Sequence, residues 1–103
     1  MKYYHATRCS NAISIVHDGI IRTGCDGIVY LADSFDNALK FAYVRIWDEP
    51  IILFEIEIPE DETKLVEETF DHNPDFFECK SFGYPKNIPT SWITDIKQYR
   101  ESK

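Results

Sequence analysis

The segment at positions 51–58, IILFEIEI, constrains the fold most, because apolar and acidic residues alternate from Phe54 to Ile58. This period of two predicts a β-strand with one apolar face and one acidic, solvent-facing face. The apolar face carries Phe54, Ile56 and Ile58, and the acidic face carries Glu55 and Glu57. A second segment, Ile28–Ala32, is almost wholly apolar, which predicts a strand buried on both faces at the centre of a sheet.

A helix is predicted before each of these strands. Ser10 is a favourable N-cap for a helix at Asn11–Asp18, and Gly19 stands where a glycine commonly ends one. The expected buried side of this helix carries Ala12, Ile13 and Val16. Ser34 is a second N-cap for a helix at Phe35–Trp47, and a proline three residues later prevents further extension.

The remaining segments predict a short opening strand and a strand-rich C-terminal half. Lys2–His5 is the opening strand. A turn is predicted at 59–61, directly after the strand at 51–58. Leu65–Asp75 fits either a short helix or a loop, and Phe76–Tyr84 fits a strand. Ile88–Tyr99 predicts a short helical turn and a last strand, with Trp92, Ile93, Ile96 and Tyr99 as core candidates. Helices early and strands late indicate an α+β fold.

Length and cysteine spacing limit the architecture further. A chain of 103 residues is expected to form a single domain over residues 1–103, without room for a doubly wound dinucleotide domain. Its three cysteines are widely spaced, which is typical of a reduced, cytoplasmic protein. No CxxC or HxxxH pair suggests a metal ligand set, so we expect no bound metal.

The charge is acidic and unevenly distributed. The net charge of −7 argues against a broad basic surface for nucleic acid or anionic lipid, so neither is an expected partner. Residues 55–78 contain ten acids and one base, whereas the rest of the chain has a slight excess of bases. This acidic segment fits a solvated loop, a carboxylate site, or a mimic of a nucleic-acid backbone that faces a basic partner.

Two short stretches, Tyr4-His5-Ala6-Thr7 and Ile28–Ser34 followed by Phe41, resemble motifs of the ADP-ribosyltransferase superfamily. That family's first strand typically reads Tyr-His-Gly-Thr, and this chain has Tyr4-His5-Ala6-Thr7. The second family motif, an apolar strand with a central tyrosine followed by a helix with Ala and an aromatic, is similar to Ile28–Ser34 followed by Phe41. The later stretch Ile88–Ile93 is similar to an element before the closing strand of many members.

The resemblance covers about residues 3–96 and implies a split β-sheet with two early helices. It also implies NAD as the substrate, cleavage of its nicotinamide–ribose bond, and transfer of ADP-ribose to an acceptor, which we expect to be a protein. A chain this small in that superfamily suits a bacterial, phage or mobile-element effector. RNA 2′-phosphotransferases belong to the same superfamily, but the acidic balance does not suit an RNA phosphate footprint.

The resemblance implies a role for each matching residue. His5 would hydrogen-bond a ribose hydroxyl, Tyr30 would stack on nicotinamide, and Phe41 would form the opposing wall. Thr7 would position the carboxamide. The residues implied to contact the cofactor are His5, Ala6, Thr7, Tyr30, Leu31 and Phe41.

The third catalytic position stays open among three residues. Glu78 opens a late strand, as the family's glutamate does, whereas register measured from Ile88 selects Ser81. Asp71 is similar to the loop aspartate of the small rifamycin-modifying members. Ala6 replaces the usual glycine, and its methyl group lies at a point of close approach to nicotinamide. The alternative prediction is therefore an inactive protein of the same fold that binds NAD, another nucleotide or a partner of the acidic segment.

Overall fold

Helices and strands alternate in the first half of the chain, and strands dominate the second half. The computed structural model describes residues 1–24, 27–43, 46, 48–69 and 81–99. Within these ranges the helices are α1 (Cys9–Asp18), α2 (Phe35–Tyr43) and α3 (Glu60–Thr63), with a 3-10 turn at Thr90–Trp92. The strands are β1 (Lys2–Arg8), β2 (Ile20–Ile21), β3 (Val29–Ala32), β4 (Ile51–Glu57), β5 (Glu67–Thr69), β6 (Ser81–Tyr84), β7 (Ile88–Pro89) and β8 (Ile93–Tyr99).

Six strands form one sheet in the order β5-β6-β3-β1-β4-β8, and β2 pairs with β7 in a second, two-stranded sheet. Every pairing among the described strands is antiparallel. This arrangement confirms the predicted α+β class. No helix in the described part of the chain has the length and apolarity to cross a membrane.

The sheet is split between its two central strands. β1 pairs with β4 over its whole length, from Lys2 opposite Glu57 to Arg8 opposite Ile51. With β3, in contrast, β1 shares one register pair, Tyr4 with Ala32. Toward the C-terminal end of β1 the two strands therefore separate, and this opening positions the site described below.

The two sheet faces carry separate cores. One cluster contains Ala12 and Ile15 of α1 and the even-numbered residues of β4, of which Phe54 and Ile56 are completely buried. The other contains Ala38, Phe41 and Ala42 of α2 against Ile51 and Leu53. The alternation predicted for β4 is confirmed from Phe54 to Glu57, but the opposite face is not wholly exposed, because Ile51 and Leu53 pack against α2. Because each helix contacts a different cluster, α1 and α2 lie on opposite faces of the sheet.

Local capping explains the helix ends. Gly19 ends α1 in the left-handed region, at φ 77°, and its N–H donates to the Ile15 carbonyl at 2.9 Å, as predicted from the glycine. The predicted cap at Ser10 is wrong: β1 extends past His5 to Arg8, α1 begins at Cys9, and Ser10 N–H donates to Glu49 Oε1. The Glu49 carboxylate, from a distant segment of the chain, thus satisfies a first-turn amide of α1 that has no partner within the helix.

The start of α2 follows the prediction closely. The Ser34 hydroxyl accepts a hydrogen bond from Asn37 N–H at 3.1 Å, which satisfies one of the amides that a helix start leaves without a partner. α2 runs to Tyr43, and Ile46 N–H still donates to the Ala42 carbonyl. The end predicted at Trp47 lies outside the described residues.

Several core assignments from the sequence are wrong. Ile13 and Val16 are 69% and 65% exposed, because α1 turns Ala12 and Ile15 toward the sheet instead. Ile96 is also exposed, since β8 is an outer strand with little cover. Tyr99, another core candidate on that strand, is exposed as well.

The segment Leu65–Asp75, predicted as a short helix or a loop, contains strand β5, which pairs with β6.

Candidate functional site

A cleft of about 560 Å³ lies where β1 and β3 separate. Residues 4–8 of β1 and 28–32 at β3 form its two long walls. α1 contributes Asn11 and Ile15, and α2 contributes Ala38 and Phe41. Since these helices lie on opposite faces of the sheet, the cleft passes through the gap between the central strands.

All six residues predicted to contact a cofactor line this one cleft. His5, Ala6 and Thr7 come from β1, Tyr30 and Leu31 from β3, and Phe41 from α2. They come from three separate parts of the chain, and the split between the strands brings them together. His5, Ala6 and Tyr30 are half-buried, whereas Thr7, Leu31 and Phe41 are buried.

A hydrogen bond links the two central residues of this set. His5 Nδ1 lies 2.8 Å from the Tyr30 carbonyl oxygen. A carbonyl only accepts hydrogen bonds, so Nδ1 carries the proton and donates it. In the neutral imidazole, Nε2 is then the nitrogen with the acceptor lone pair. The bond therefore fixes both the ring orientation of His5 and the nitrogen that can accept a hydrogen bond.

Leu31 and Phe41 have a structural role as well as a position at the cleft. Leu31 belongs to the core cluster on the α1 face, and Phe41 to the cluster on the α2 face. Ala6 packs at the edge of the same cluster as Phe41. The cleft walls are therefore continuous with both cores, which holds their backbone in place.

Two arginines at the cleft are not among the residues predicted from the sequence. Arg8 contacts Asp48 at 2.6 Å and Glu49 at 3.7 Å, and Arg22 contacts Asp18 at 3.3 Å. A hydrogen bond from His17, together with Arg22, holds the pKa of the Asp18 carboxyl below its usual range. Both arginines that line the cleft are therefore paired with carboxylates. Only their positions in the chain could have indicated these arginines, because Arg8 ends β1 and Arg22 directly follows β2.

The open third position is not resolved by geometry. Glu78 and Asp71 lie outside the described residues. The backbone of Ser81 opens β6 opposite Ala32, and its side chain lies outside the described set. Within the described ranges, Asp18 is the one acid that lines the cleft, and no group of His, Cys, Asp and Glu side chains there could hold a metal ion.

Comparison with known proteins identifies a fold but no family. No family model matches the sequence, and no curated protein is significantly similar to it. The structure is similar to the X-ray crystal structure of protein CC0527 from Caulobacter crescentus, with a TM-score of 0.73 and 11% sequence identity. The match covers 99% of this chain and 89% of that chain. At this identity the likeness extends to the α+β fold alone.

Proposed function

We propose that this protein cleaves the nicotinamide–ribose bond of NAD and transfers ADP-ribose to an acceptor. One observation carries the proposal: His5 and Tyr30 are joined by a hydrogen bond within a cleft that the other motif residues also line. Each motif is short, but their meeting at one opening in the sheet is not a consequence of either motif alone. The cleft is also within the usual volume range of small-molecule sites.

The proposed reaction breaks the bond between the ribose C1′ carbon and the nicotinamide nitrogen. The bonding electrons leave with nicotinamide, which departs as a neutral molecule, and C1′ gains oxocarbenium character. A nucleophilic atom of the acceptor then bonds to C1′ and loses its proton. A protein scaffold promotes this step when it grips the leaving group, orients the ribose and stabilises the developing positive charge.

The residues at the cleft suit the first two of these tasks. His5 Nε2 is the acceptor nitrogen of the neutral ring, so it can take a hydrogen bond from a ribose hydroxyl. Tyr30 presents an aromatic ring on the facing strand, where nicotinamide can stack, and Phe41 lies on the α2 side of the same cleft. The acid or hydroxyl for the third task would come from Glu78, Asp71 or Ser81.

Incubation of the protein with labelled NAD and cell extract tests the proposal. We expect release of nicotinamide and transfer of label, and both should decrease in His5→Ala and Tyr30→Ala. His17→Ala and Tyr43→Ala are matched controls, because both side chains are exposed and neither lines the cleft. Absence of NAD cleavage, or equal cleavage by the cleft variants and the controls, contradicts the proposal.

A second function, NAD binding without turnover, is favoured by Ala6. Its methyl group stands in the cleft wall where the resembling family has glycine. Calorimetry distinguishes the two functions, because saturable binding of NAD without release of nicotinamide supports binding alone. Ala6→Gly then provides a direct comparison, since removal of the methyl group is expected to strengthen binding if nicotinamide approaches that backbone.

A further inference from the structure

Within the part of the chain that the structure describes, the outer strand β8 has an unpaired edge, and its sequence is self-complementary. β8 ends the six-stranded sheet, and residues 94–99 are all exposed. In the described part of the chain, β8 pairs with β4 alone. An exposed strand of seven residues is a template for another strand, and natural proteins usually block such an edge or use it. We propose that two copies of this chain pair through β8 in an antiparallel, two-fold symmetric manner.

The backbone of β8 presents hydrogen-bonding groups away from β4. Ile96 N–H donates to the side chain of its own neighbour, Asp95 Oδ1, at 2.9 Å. Because successive residues of a strand direct their backbone groups to alternate sides, this contact indicates that the N–H of Ile96 points outward. A second β8 strand supplies carbonyl oxygens on that side and releases the Asp95 carboxylate.

Antiparallel pairing about Ile96 produces complementary neighbours. Asp95 of one copy then stands opposite Lys97 of the other, twice by symmetry, and the two Ile96 side chains face each other. Directly opposite residues share a face of the sheet, where opposite charges and apolar pairs are favourable. Ile96 is 53% exposed in the single chain, so self-pairing also removes apolar surface from water.

The charges on β8 are poorly balanced within one copy. Asp95 lies opposite another acid, Glu55, in β4. Lys97 lies over the Phe35 ring, with Nζ 4.2 Å from the centroid. Neither Asp95 nor Lys97 forms an ion pair with another of the described residues. A second copy therefore supplies each of them with the opposite charge that it lacks.

The paired edge leaves the cleft open. β4 lies between β8 and β1, so the proposed contact is two strands away from the split. Pairing joins two sheets into one continuous sheet and requires no residue that lines the cleft. Dimerisation and NAD cleavage can therefore fail independently in experiments.

Sedimentation velocity over a concentration series tests the pairing with charge-reversal variants of the full chain. We expect a concentration-dependent dimer that Asp95→Lys and Lys97→Asp each weaken by about tenfold or more, because each places like charges opposite each other twice. The double variant Asp95→Lys/Lys97→Asp restores the opposite charges and is expected to recover dimerisation. Glu67→Lys on the far edge strand β5 makes the same charge change as Asp95→Lys and should leave the dimer unchanged.

A cysteine cross-link tests the register. Ile96→Cys places two thiols opposite each other across the two-fold axis, at a Cα separation of about 5.5 Å that a disulfide can span. Gln98→Cys faces position 94 of the other copy, so its two thiols are too far apart. Mild oxidation should therefore yield covalent dimer from Ile96→Cys, in excess of that from Gln98→Cys and the unmodified chain.

Three results would overturn the pairing. The first is a monomer at every concentration. The edge of β8 then pairs with a strand of a different protein or with no strand at all. The second is a dimer that the single charge reversals do not weaken, or that the double variant does not restore. In either case the two copies associate through another surface. The third is equal cross-linking of Ile96→Cys and Gln98→Cys.

Discussion

His5 hydrogen-bonds the backbone of the facing strand through Nδ1, and its other ring nitrogen, Nε2, is the atom proposed to contact the ribose. His5→Asn keeps an amide N–H that can donate to the Tyr30 carbonyl but has no acceptor at the position of Nε2. We expect near-normal thermal stability and about tenfold slower NAD cleavage, the effect of one lost hydrogen bond. His5→Gln places its longer amide nearer the Nε2 position and is expected to retain more activity. Cleavage by His5→Asn at the unmodified rate contradicts the role assigned to Nε2.

Tyr30 is expected to contribute through its ring rather than its hydroxyl. Tyr30→Phe keeps the aromatic face at the cleft, so the dissociation constant for NAD should change little. Tyr30→Ala removes the stacking surface and should weaken binding by about fivefold to tenfold, in line with roughly 1 kcal/mol for an aromatic pair. Calorimetry measures both constants. A loss of affinity in Tyr30→Phe as large as that in Tyr30→Ala contradicts this assignment.

Gly19 is favoured because of its positive φ angle, and not because a side chain at this position would clash with its neighbours. Its φ is 77°, and a Cβ added at this position has no neighbour within 4 Å. Gly19→Ala therefore encounters only the conformational cost of the left-handed region, and the free energy of unfolding should fall by about 1–2 kcal/mol. Urea unfolding measures this change. Val16→Ala, on the exposed side of the same helix, is the control and should have little effect.

At the scale of elements, the Glu55 side chain links β4 to both neighbouring strands through hydrogen bonds. Its carboxylate accepts hydrogen bonds from Lys2 Nζ of β1 at 3.0 Å and Thr94 Oγ1 of β8 at 2.8 Å. The Lys2 ammonium above all, and then the Thr94 hydroxyl, hold the pKa of Glu55 below its usual range. This carboxylate thus stabilises the fold above its unfolded pKa, and the contribution disappears as pH falls through the folded value.

Glu55→Gln tests that pH dependence. The variant should be less stable than the unmodified chain near neutral pH, and the difference should shrink as pH falls from about 5 to about 3. Thermal unfolding at a series of pH values measures the gap between the two proteins. Glu57→Gln is the comparison, because Glu57 is on the same face of β4 but more exposed. A gap that stays constant with pH contradicts the contribution of the Glu55 carboxylate.

Elements with a strong local signal were predictable from the sequence, and those set by tertiary contacts were not. The alternation in β4 and the cap at Ser34 depend on neighbouring residues, and both predictions are confirmed. The Ser10 cap failed because β1 continues to Arg8 alongside β4, which moves the helix start. β5 is three residues long and depends on β6, so no local pattern indicated it.

At the scale of the whole molecule, the six residues implied to contact a cofactor lie at one cleft, but the charged residues of that cleft were not predicted from the sequence. The motif residues carried a recognisable order, and the split sheet brings them to one opening. Arg8 had no such signal, because its acidic partner Asp48 lies forty residues away in the chain. Arg22 is four residues from Asp18, but Gly19 ends the helix between them, so the spacing did not indicate a helical ion pair. Asp48 becomes a neighbour of Arg8 only when β1 pairs with β4.

The split between β1 and β3 also determines where amide hydrogen exchange should respond to a ligand. A nucleotide bound in the cleft would be expected to cover the backbone of residues 5–7 and 29–31, which line the opening. The β4–β8 ladder, with Leu53 opposite Lys97, lies away from it. Addition of NAD should therefore slow deuterium uptake in peptides from the first two segments and leave the ladder unchanged. Uniform slowing, or slowing in the ladder alone, contradicts binding at the split. Because the opening divides a central pair of strands, one molecule of ligand would leave a footprint in two segments that are more than twenty residues apart in the chain.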